Sequence, residues 1–205
     1  MFDSCFHIKD ISLKYIKKYS KLLKSKNISK VFIYFDNQRT LKDLIRFKEY
    51  CDHFENLIPV AYLTKTKNFE KEINQIIKNN YQFIKIHPRW LQIRFSNRKF
   101  YEKLFRFLKK TKLNILWCSF DSLEEYSNEI DQINFLSKLF NITNKNKKII
   151  MHGGGVNLLK FYEKFRFTEN VYLDLSYTME QYLQTTLKKD MIFLLKNFDK
   201  RILVG

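Results

Sequence analysis

Three of the four histidines in this 205-residue chain lie at the ends of short apolar segments. His7, His87 and His152 each follow a run of β-branched or aromatic residues, the composition expected of a buried β-strand. Imidazole transfers protons near neutral pH and binds metal ions. Two of the three cysteines, Cys5 and Cys118, lie in equivalent segments. The sequence therefore predicts a site where imidazole and thiol groups meet.

Two pairs of these residues have the spacing that puts both side chains on one face of a strand. Cys5 and His7 are two residues apart, as are Lys85 and His87. A thiolate and an imidazole both bind zinc, whose catalytic sites need about three protein ligands and an open position. Lys85 is a candidate for binding a substrate carboxylate. Packing in the core would explain any one of these residues. Their common position at strand ends favours a functional site.

Glycine is equally unevenly distributed. Three of only four glycines, Gly153, Gly154 and Gly155, directly follow His152. Such a turn lets the backbone approach a ligand closely and offers N–H groups to an anion. A tight connection between a strand and a helix is the alternative. Asp174, inside a later apolar segment, is predicted to face inward as a hydrogen-bond acceptor or substrate contact.

The elements that must position these residues alternate regularly. Seven candidate amphipathic helices, at about 11–26, 39–54, 68–79, 98–111, 124–141, 157–167 and 180–197, separate eight candidate strands. The strands are Phe2–Ile8, Lys30–Asp36, Ile58–Leu63, Phe83–His87, Leu113–Ser119, Lys148–His152, Val171–Leu175 and Arg201–Val204. Helical crossovers between strands predict a parallel α/β fold. The first strand lacks a glycine-rich phosphate turn, so we predict a (β/α)8 TIM barrel rather than an open nucleotide-binding sheet.

In such a barrel the functional residues lie at the C-terminal ends of the strands. We predict a single domain spanning 1–205, although typical barrels have roughly 250 residues. The chain ends within the eighth strand and lacks the last helix of a full barrel. It is therefore expected to be marginally stable or to form a homo-oligomer.

The formal net charge of +17 raises the question of a polyanionic partner. The lysines are spread along the whole chain, so a nucleic-acid-binding function ranks below the others. No apolar segment is long enough to span a membrane, and no secretory signal is visible. An odd number of widely spaced cysteines is not a disulfide framework, which favours a cytoplasmic location.

Several of these segments together resemble the amidohydrolase-related family of metal-dependent hydrolase barrels, which also contains non-oxidative decarboxylases. Phe2-Asp3-Ser4-Cys5-Phe6-His7-Ile8 is similar to the family's first-strand Asp-x-His-x-His pattern, and Phe83-Ile84-Lys85-Ile86-His87-Pro88 to its fourth strand. The remaining motifs correspond to strands five to eight and are Leu113–Cys118, Lys148–Gly154, Asn170–Ser176 and Arg201–Gly205. The resemblance covers nearly the whole chain. It implies a metal-activated water that attacks a C–N or C–O bond of a small carboxylate or cyclic substrate, or a related decarboxylation.

The departures from the family pattern fall on its metal ligands. Cys5 and Cys118 replace two histidines, and the chain stops before the eighth-strand aspartate. One interpretation is a working zinc site of Cys5, His7 and Cys118, with His152 as catalytic acid or base. The other is a barrel without catalysis. Its mouth would bind a small anion through Lys85, His87, Gly153 and Gly154, with Asp174 nearby.

Overall fold

The computed structural model describes residues 2–38, 40–94, 96–119, 129–198 and 201–204, with the backbone alone for 2–5 and 129–132. Its centre is one parallel sheet of eight strands in sequential order. The strands are β1 Phe2–Ile8, β2 Lys30–Phe35, β3 Leu57–Tyr62, β4 Phe83–Ile86, β5 Asn114–Cys118, β6 Lys148–Met151, β7 Val171–Asp174 and β8 Ile202–Leu203. β8 also contacts β1, so the sheet curls on itself. The predicted barrel with eight strands is confirmed.

Helices join the strands and pack on the outside of the sheet. They are α1 Leu13–Ser25, α2 Leu41–Asp52, α3 Phe69–Lys78, α4 Pro88–Leu91, α5 Arg98–Leu108, α6 Glu129–Ile142, α7 Leu158–Phe165, α8 Ser176–Tyr182 and α9 Leu187–Asn197. Local signals set some of their ends. Ser12 accepts a hydrogen bond at the start of α1, and Thr40 and Asp43 form a capping box at the start of α2.

The helices differ from the prediction in two places, and the start of a third predicted helix is not tested. The predicted helix at 180–197 is two helices, α8 and α9, and α8 begins four residues earlier, where Ser176 binds the Asp174 carboxylate. The four-residue helix α4 was not predicted, because a proline that ends a strand also suits the first turn of a helix. The predicted helix at 124–141 begins in a stretch that lies outside the described residues, and α6 begins at Glu129.

The sheet separates two apolar clusters. The cluster inside the barrel contains Phe32, Tyr34, Val60, Tyr62, Phe83, Leu116, Ile149 and Met151. These residues alternate along their strands with residues that face the helices, as the two-residue period of a strand requires. A larger outer cluster, which includes Phe47, Phe105, Phe140 and Phe165, fills the space between sheet and helices. The inner aromatic layer forms the floor beneath the C-terminal ends of the strands.

None of the helices in the described part of the chain has the length and apolar character needed to cross a membrane.

Candidate functional site at the barrel mouth

The polar side chains of His7 and Asp36 are closely paired at the barrel mouth. His7 lies near the end of β1, and Asp36 directly follows β2. The Asp36 backbone N–H donates to the Ile8 carbonyl at 3.0 Å, which extends the pairing of the two strands and brings the side chains together. Nδ1 of His7 lies 2.5 Å from Oδ1 of Asp36. The side chains are 33% and 25% exposed, so solvent reaches both.

Electrostatics favours the charged form of Asp36. Partial burial raises the pKa of this carboxyl. The hydrogen bond and charge of His7, a hydrogen bond from Tyr62 and the charge of Lys85 outweigh that effect, so the pKa of Asp36 is lowered overall. An ionised carboxylate bonded to Nδ1 fixes the orientation of the imidazole and leaves its other nitrogen available for chemistry.

Tyr62, on β3, connects this pair to Lys85. Its hydroxyl lies 3.3 Å from Oδ1 of Asp36 and 3.4 Å from Nδ1 of His7. Nζ of Lys85 donates to the same hydroxyl at 3.5 Å. The Lys85 ammonium also lies over the rings of Tyr34, at 4.3 Å from the centroid, and Tyr62, at 5.2 Å. We call His7, Asp36, Tyr62 and Lys85 the mouth cluster.

The Lys85 side chain is almost fully enclosed, with 2% of the residue exposed. Lys85 faces the barrel interior, because it contacts Tyr34 and Tyr62, two members of the inner cluster. The His7 ring also stacks on the Tyr34 ring, with 4.8 Å between centroids, so His7 packs against the same inner cluster. Lys85 therefore places a positive charge at the floor of the mouth.

His87 and Trp90 form the wall of the mouth next to β4. Their rings stack with 5.0 Å between centroids, and Trp90 also packs on Tyr62 at 4.8 Å. Burial lowers the pKa of His87 to about 3, and the charges of Lys85 and Arg89 act in the same direction. His87 is therefore a neutral imidazole at physiological pH. Trp90 remains 45% exposed, which distinguishes it from Trp117, a core residue on the outer face of β5.

His152 does not end β6, as the sequence suggested, but begins a short 3-10 segment, His152–Asn157. Its φ of 65° is in the left-handed region, which is unusual for a residue other than glycine. Partial burial lowers the pKa of His152 to about 4; the charge of Asp174 opposes this shift, whereas those of Lys85 and His7 reinforce it. The His152 ring packs on Tyr177, with 5.3 Å between centroids, and its carbonyl accepts a hydrogen bond from the Thr178 hydroxyl, so His152 lies against α8.

The glycines after His152 have clear packing roles. A Cβ atom on Gly153 would lie 2.7 Å from the Leu175 side chain, and one on Gly154 would lie 2.2 Å from the Phe161 ring. Both have positive φ, as does Gly155, which has open space around it. The Gly154 N–H donates to the Ser119 hydroxyl at 3.1 Å. Close packing and backbone conformation thus explain Gly153 and Gly154 without a ligand, and their predicted role in binding an anion stays a prediction.

Asp174 ends β7 and is fully buried. Its Oδ1 accepts hydrogen bonds from the Ser176 N–H, at 3.1 Å, and from the Ser176 hydroxyl. This arrangement supports the first turn of α8. The inward-facing position predicted for Asp174 agrees with its burial, and its observed acceptor role is structural.

Of the three predicted zinc ligands, two have described side chains. Cys118 ends β5 and is buried two residues after Leu116, on the strand face that points into the barrel. Cys5 lies in β1 close to a register shift between Asp3 and Phe6, and its side chain lies outside the described residues. Among the side chains that are described, no three His, Cys, Asp or Glu residues are grouped so as to hold a metal ion. The described residues therefore do not fit a three-ligand zinc site, and a site completed by Cys5 stays a prediction.

No model of a known protein family and no curated protein sequence matches the chain. Solved structures do. An uncharacterised TIM-barrel protein from Bordetella bronchiseptica superposes with a TM-score of 0.73 and 10% identity, covering 100% of this chain and 85% of that one. The chain has the TIM-barrel fold.

Similar barrels carry several kinds of enzyme activity. A protein from Acinetobacter baumannii designated a probable 2-pyrone-4,6-dicarboxylic acid hydrolase, with citric acid bound, superposes with a TM-score of 0.64 and 14% identity, covering 100% of this chain and 82% of that one. An N-acetylneuraminate lyase from Mycoplasma synoviae has a TM-score of 0.63 and 9% identity, with 100% and 68% of the two chains covered. At these identities the likeness establishes the TIM-barrel fold alone, on which hydrolases and lyases are both built.

A cavity of about 260 Å³ lies beside the barrel mouth rather than over it. The loops after β2 and β3 line it, together with the first turns of α2 and α3. Gln38 joins this wall to the mouth, because its amide donates to the Tyr62 carbonyl at 3.0 Å. None of the four mouth-cluster residues lines the cavity.

Sequence reasoning missed the partners of His7. Asp36 enters the sequence analysis only as the last residue of a predicted strand, and Tyr34 and Tyr62 are not among its candidate site residues. One signal was available: Asp36 ends its apolar segment, as His7 and His87 end theirs. Tyrosine gave no comparable signal, because 12 tyrosines are spread through the chain.

Proposed function

We propose that this TIM barrel is a hydrolase that acts on a small carboxylate-containing substrate at its mouth. The observation that carries the proposal is the 2.5 Å contact between His7 and Asp36 at a solvent-accessible position. A histidine whose Nδ1 is held by a carboxylate is a well-oriented general base, because the carboxylate stabilises the imidazolium formed when the ring takes a proton. His7 would remove a proton from water through Nε2 as the water attacks a C–O or C–N bond.

The positive charge of Lys85 supports the choice of substrate class. An ammonium group at the floor of the mouth attracts a carboxylate and stabilises the negative charge that develops on a carbonyl oxygen under attack. The neutral His87 and His152 rings can donate or accept hydrogen bonds without adding charge. The hydrolase from Acinetobacter baumannii, named for a dicarboxylic acid and solved with citric acid, makes small carboxylates the first compounds to test.

The test is an activity screen with lactones, esters and amides of small carboxylic acids. We expect His7→Asn and Asp36→Asn to lower kcat by about 100-fold or more, as expected for loss of a general base. His53→Asn is the matched control, because His53 caps the C-terminal end of α2, away from the mouth. Full activity in His7→Asn would contradict the proposal.

A metal-dependent form of the reaction makes a separate prediction. Zinc held by Cys5, His7 and Cys118 would polarise the substrate and lower the pKa of a bound water. The His7–Asp36 contact is compatible with it, since metal-bound histidines commonly donate their other N–H to a carboxylate. Metal analysis of wild type, Cys118→Ala and Cys51→Ala tests it. Zinc lost only in Cys118→Ala supports the metal site; Cys51 lies in α2 and serves as the control.

The second candidate is a barrel that binds a small anion without catalysis. The observation that favours it is the enclosed Lys85 ammonium at the floor of the mouth. Titration calorimetry with citrate tests it. Binding that Lys85→Met abolishes, with no turnover of any screened compound, would favour this function over hydrolysis.

A further inference from the structure

The environment of Lys85 is also suited to covalent chemistry, which goes beyond the proposed hydrolase function and does not rest on it. Enclosed lysines are the residues from which proteins make amine nucleophiles, because an amine shielded from water attacks carbonyl carbons readily. Lys85 is 2% exposed, lies between the Tyr34 and Tyr62 rings, and is bonded to the Tyr62 hydroxyl. It thus combines enclosure with an adjacent group able to carry a proton.

We infer that Lys85 is a carbonyl-reactive amine and that the barrel mouth captures small 2-oxo acids as a covalent imine. A 2-oxo acid fits because its carboxylate is attracted by the ammonium and its keto carbon is directly adjacent to that carboxylate. The mouth cluster also provides a path for protons. Nζ of Lys85 is 3.5 Å from the Tyr62 hydroxyl, and that hydroxyl is 3.3 Å from Oδ1 of Asp36.

The steps balance without an added co-reactant. The Lys85 ammonium gives a proton to the Tyr62 hydroxyl as that hydroxyl passes its own proton to the His7–Asp36 pair, in which the ionised carboxylate stabilises the imidazolium that forms. Nζ then attacks the keto carbon, a C–N bond forms, and the π electrons of the C=O bond move to oxygen, which takes up the proton. The hydroxyl group leaves as water with a further proton from nitrogen. One ammonium and one ketone give one iminium ion and one water.

Borohydride trapping of the full chain tests the inference directly. The protein is incubated with pyruvate and sodium borohydride, which reduces an iminium to a stable secondary amine, and peptides are mapped by mass spectrometry. We expect the peptide with Lys85 to gain the mass of pyruvate less one oxygen atom. Lys148 is the internal control: it is equally enclosed, but its Nζ is held by the Thr143 carbonyl at 2.9 Å.

Selective modification of Lys85 supports the inference, whereas modification spread evenly over the lysines, or absent from Lys85, overturns it. Because the readout comes from wild-type protein, it does not depend on a variant that folds. Tyr62→Phe keeps the ring that contacts Lys85 and removes the hydroxyl. We expect trapping to slow by about 100-fold in this variant; an unchanged rate would overturn the proton path.

The outcome separates the two proposals. Trapping at Lys85 without hydrolysis of any ester, lactone or amide would support the imine and overturn the hydrolase. Hydrolysis that depends on His7, with no trapping at Lys85, would do the reverse.

Discussion

His7 and Asp36 are 29 residues apart in the chain, yet their side chains meet at 2.5 Å across the ends of β1 and β2. The pair is held by the backbone, because the Asp36 N–H donates to the Ile8 carbonyl next to His7. A carboxylate placed in this way both orients the imidazole and acquires a lowered pKa. The same contact therefore affects reactivity and stability.

The first prediction concerns Asp36 and acid. Its pKa in the folded protein is below the ordinary value of 3.8, so the stabilisation from its ionised form is fully present above pH 3.8 and is lost as pH falls through the folded-state pKa. We expect Asp36→Asn to reduce the free energy of unfolding by about 1–3 kcal/mol at pH 7. Urea denaturation at several pH values should show this difference shrinking below pH 3.8. A difference independent of pH would contradict it.

The second prediction concerns the two neutral histidines. The pKa of His87 is lowered to about 3 and that of His152 to about 4, whereas both titrate near 6.5 in the unfolded chain. Their contribution to stability is therefore complete above pH 6.5 and is lost as pH falls toward 4. Wild type should lose free energy of unfolding between pH 7 and pH 5. We expect this loss to be smaller in His87→Gln and in His152→Asn. Asparagine is chosen because it tolerates the left-handed backbone at position 152.

The control for this experiment is His53→Asn, at the exposed end of α2. Each histidine can contribute up to about 1.4 kcal/mol per pH unit within its window. The interpretation fails if the two site variants have the same pH dependence as wild type.

The third prediction compares two neighbouring glycines. Both glycines have positive φ, but Gly154 (φ 87°, ψ 3°) is near the left-handed helical region, where alanine costs about 1–2 kcal/mol, whereas Gly155 (φ 55°, ψ −122°) has a conformation that alanine tolerates poorly. Only Gly154 has a neighbour in the way, because an added Cβ would lie 2.2 Å from the Phe161 ring. We expect Phe161→Leu to couple with Gly154→Ala by about 1–3 kcal/mol in a double-mutant cycle and to show no coupling with Gly155→Ala. Thermal or urea unfolding measures this, and Phe161→Leu should partly rescue Gly154→Ala.

The fourth prediction concerns Lys148, whose Nζ donates to the Thr143 and Asn144 carbonyls just after α6. Burial lowers the pKa of Lys148 from 10.5 to about 8. Between these values the unfolded chain holds a proton that the folded protein has lost, so stability increases with pH in this range. We expect wild type to gain stability relative to Lys148→Met between pH 8 and pH 10. Parallel curves for the two proteins would contradict this.

The strands were predictable because their chemistry is local. Each is a short β-branched or aromatic run between amphipathic helices, and all eight fall within a few residues of their predicted positions. Ends were harder to place where a residue serves two roles. Pro88 both ends β4 and begins α4, and Asp174 both ends β7 and supports α8.

The site was predictable as a location but not as a set of contacts. The two-residue spacing of Lys85 and His87 indicated that they share a strand face, whereas the partner of His7 depends on how β1 and β2 are paired. The register of that pair shifts between Asp3 and Phe6, and no local pattern in the sequence specifies such a shift. His152 and the glycines stood out because histidine and glycine are rare in this chain. Tyrosine is abundant, so the two tyrosines that contact Lys85 did not stand out.

The mouth cluster comes from four consecutive β/α units, with its members at positions 7, 36, 62 and 85. Each of these strands pairs with the next one along the chain, so the hydrogen bonds of the cluster join residues of the first four strands. A ribosome releases all four side chains before it has made the second half of the barrel. The order of synthesis thus allows the reactive pair to assemble first, with the later strands folding onto it.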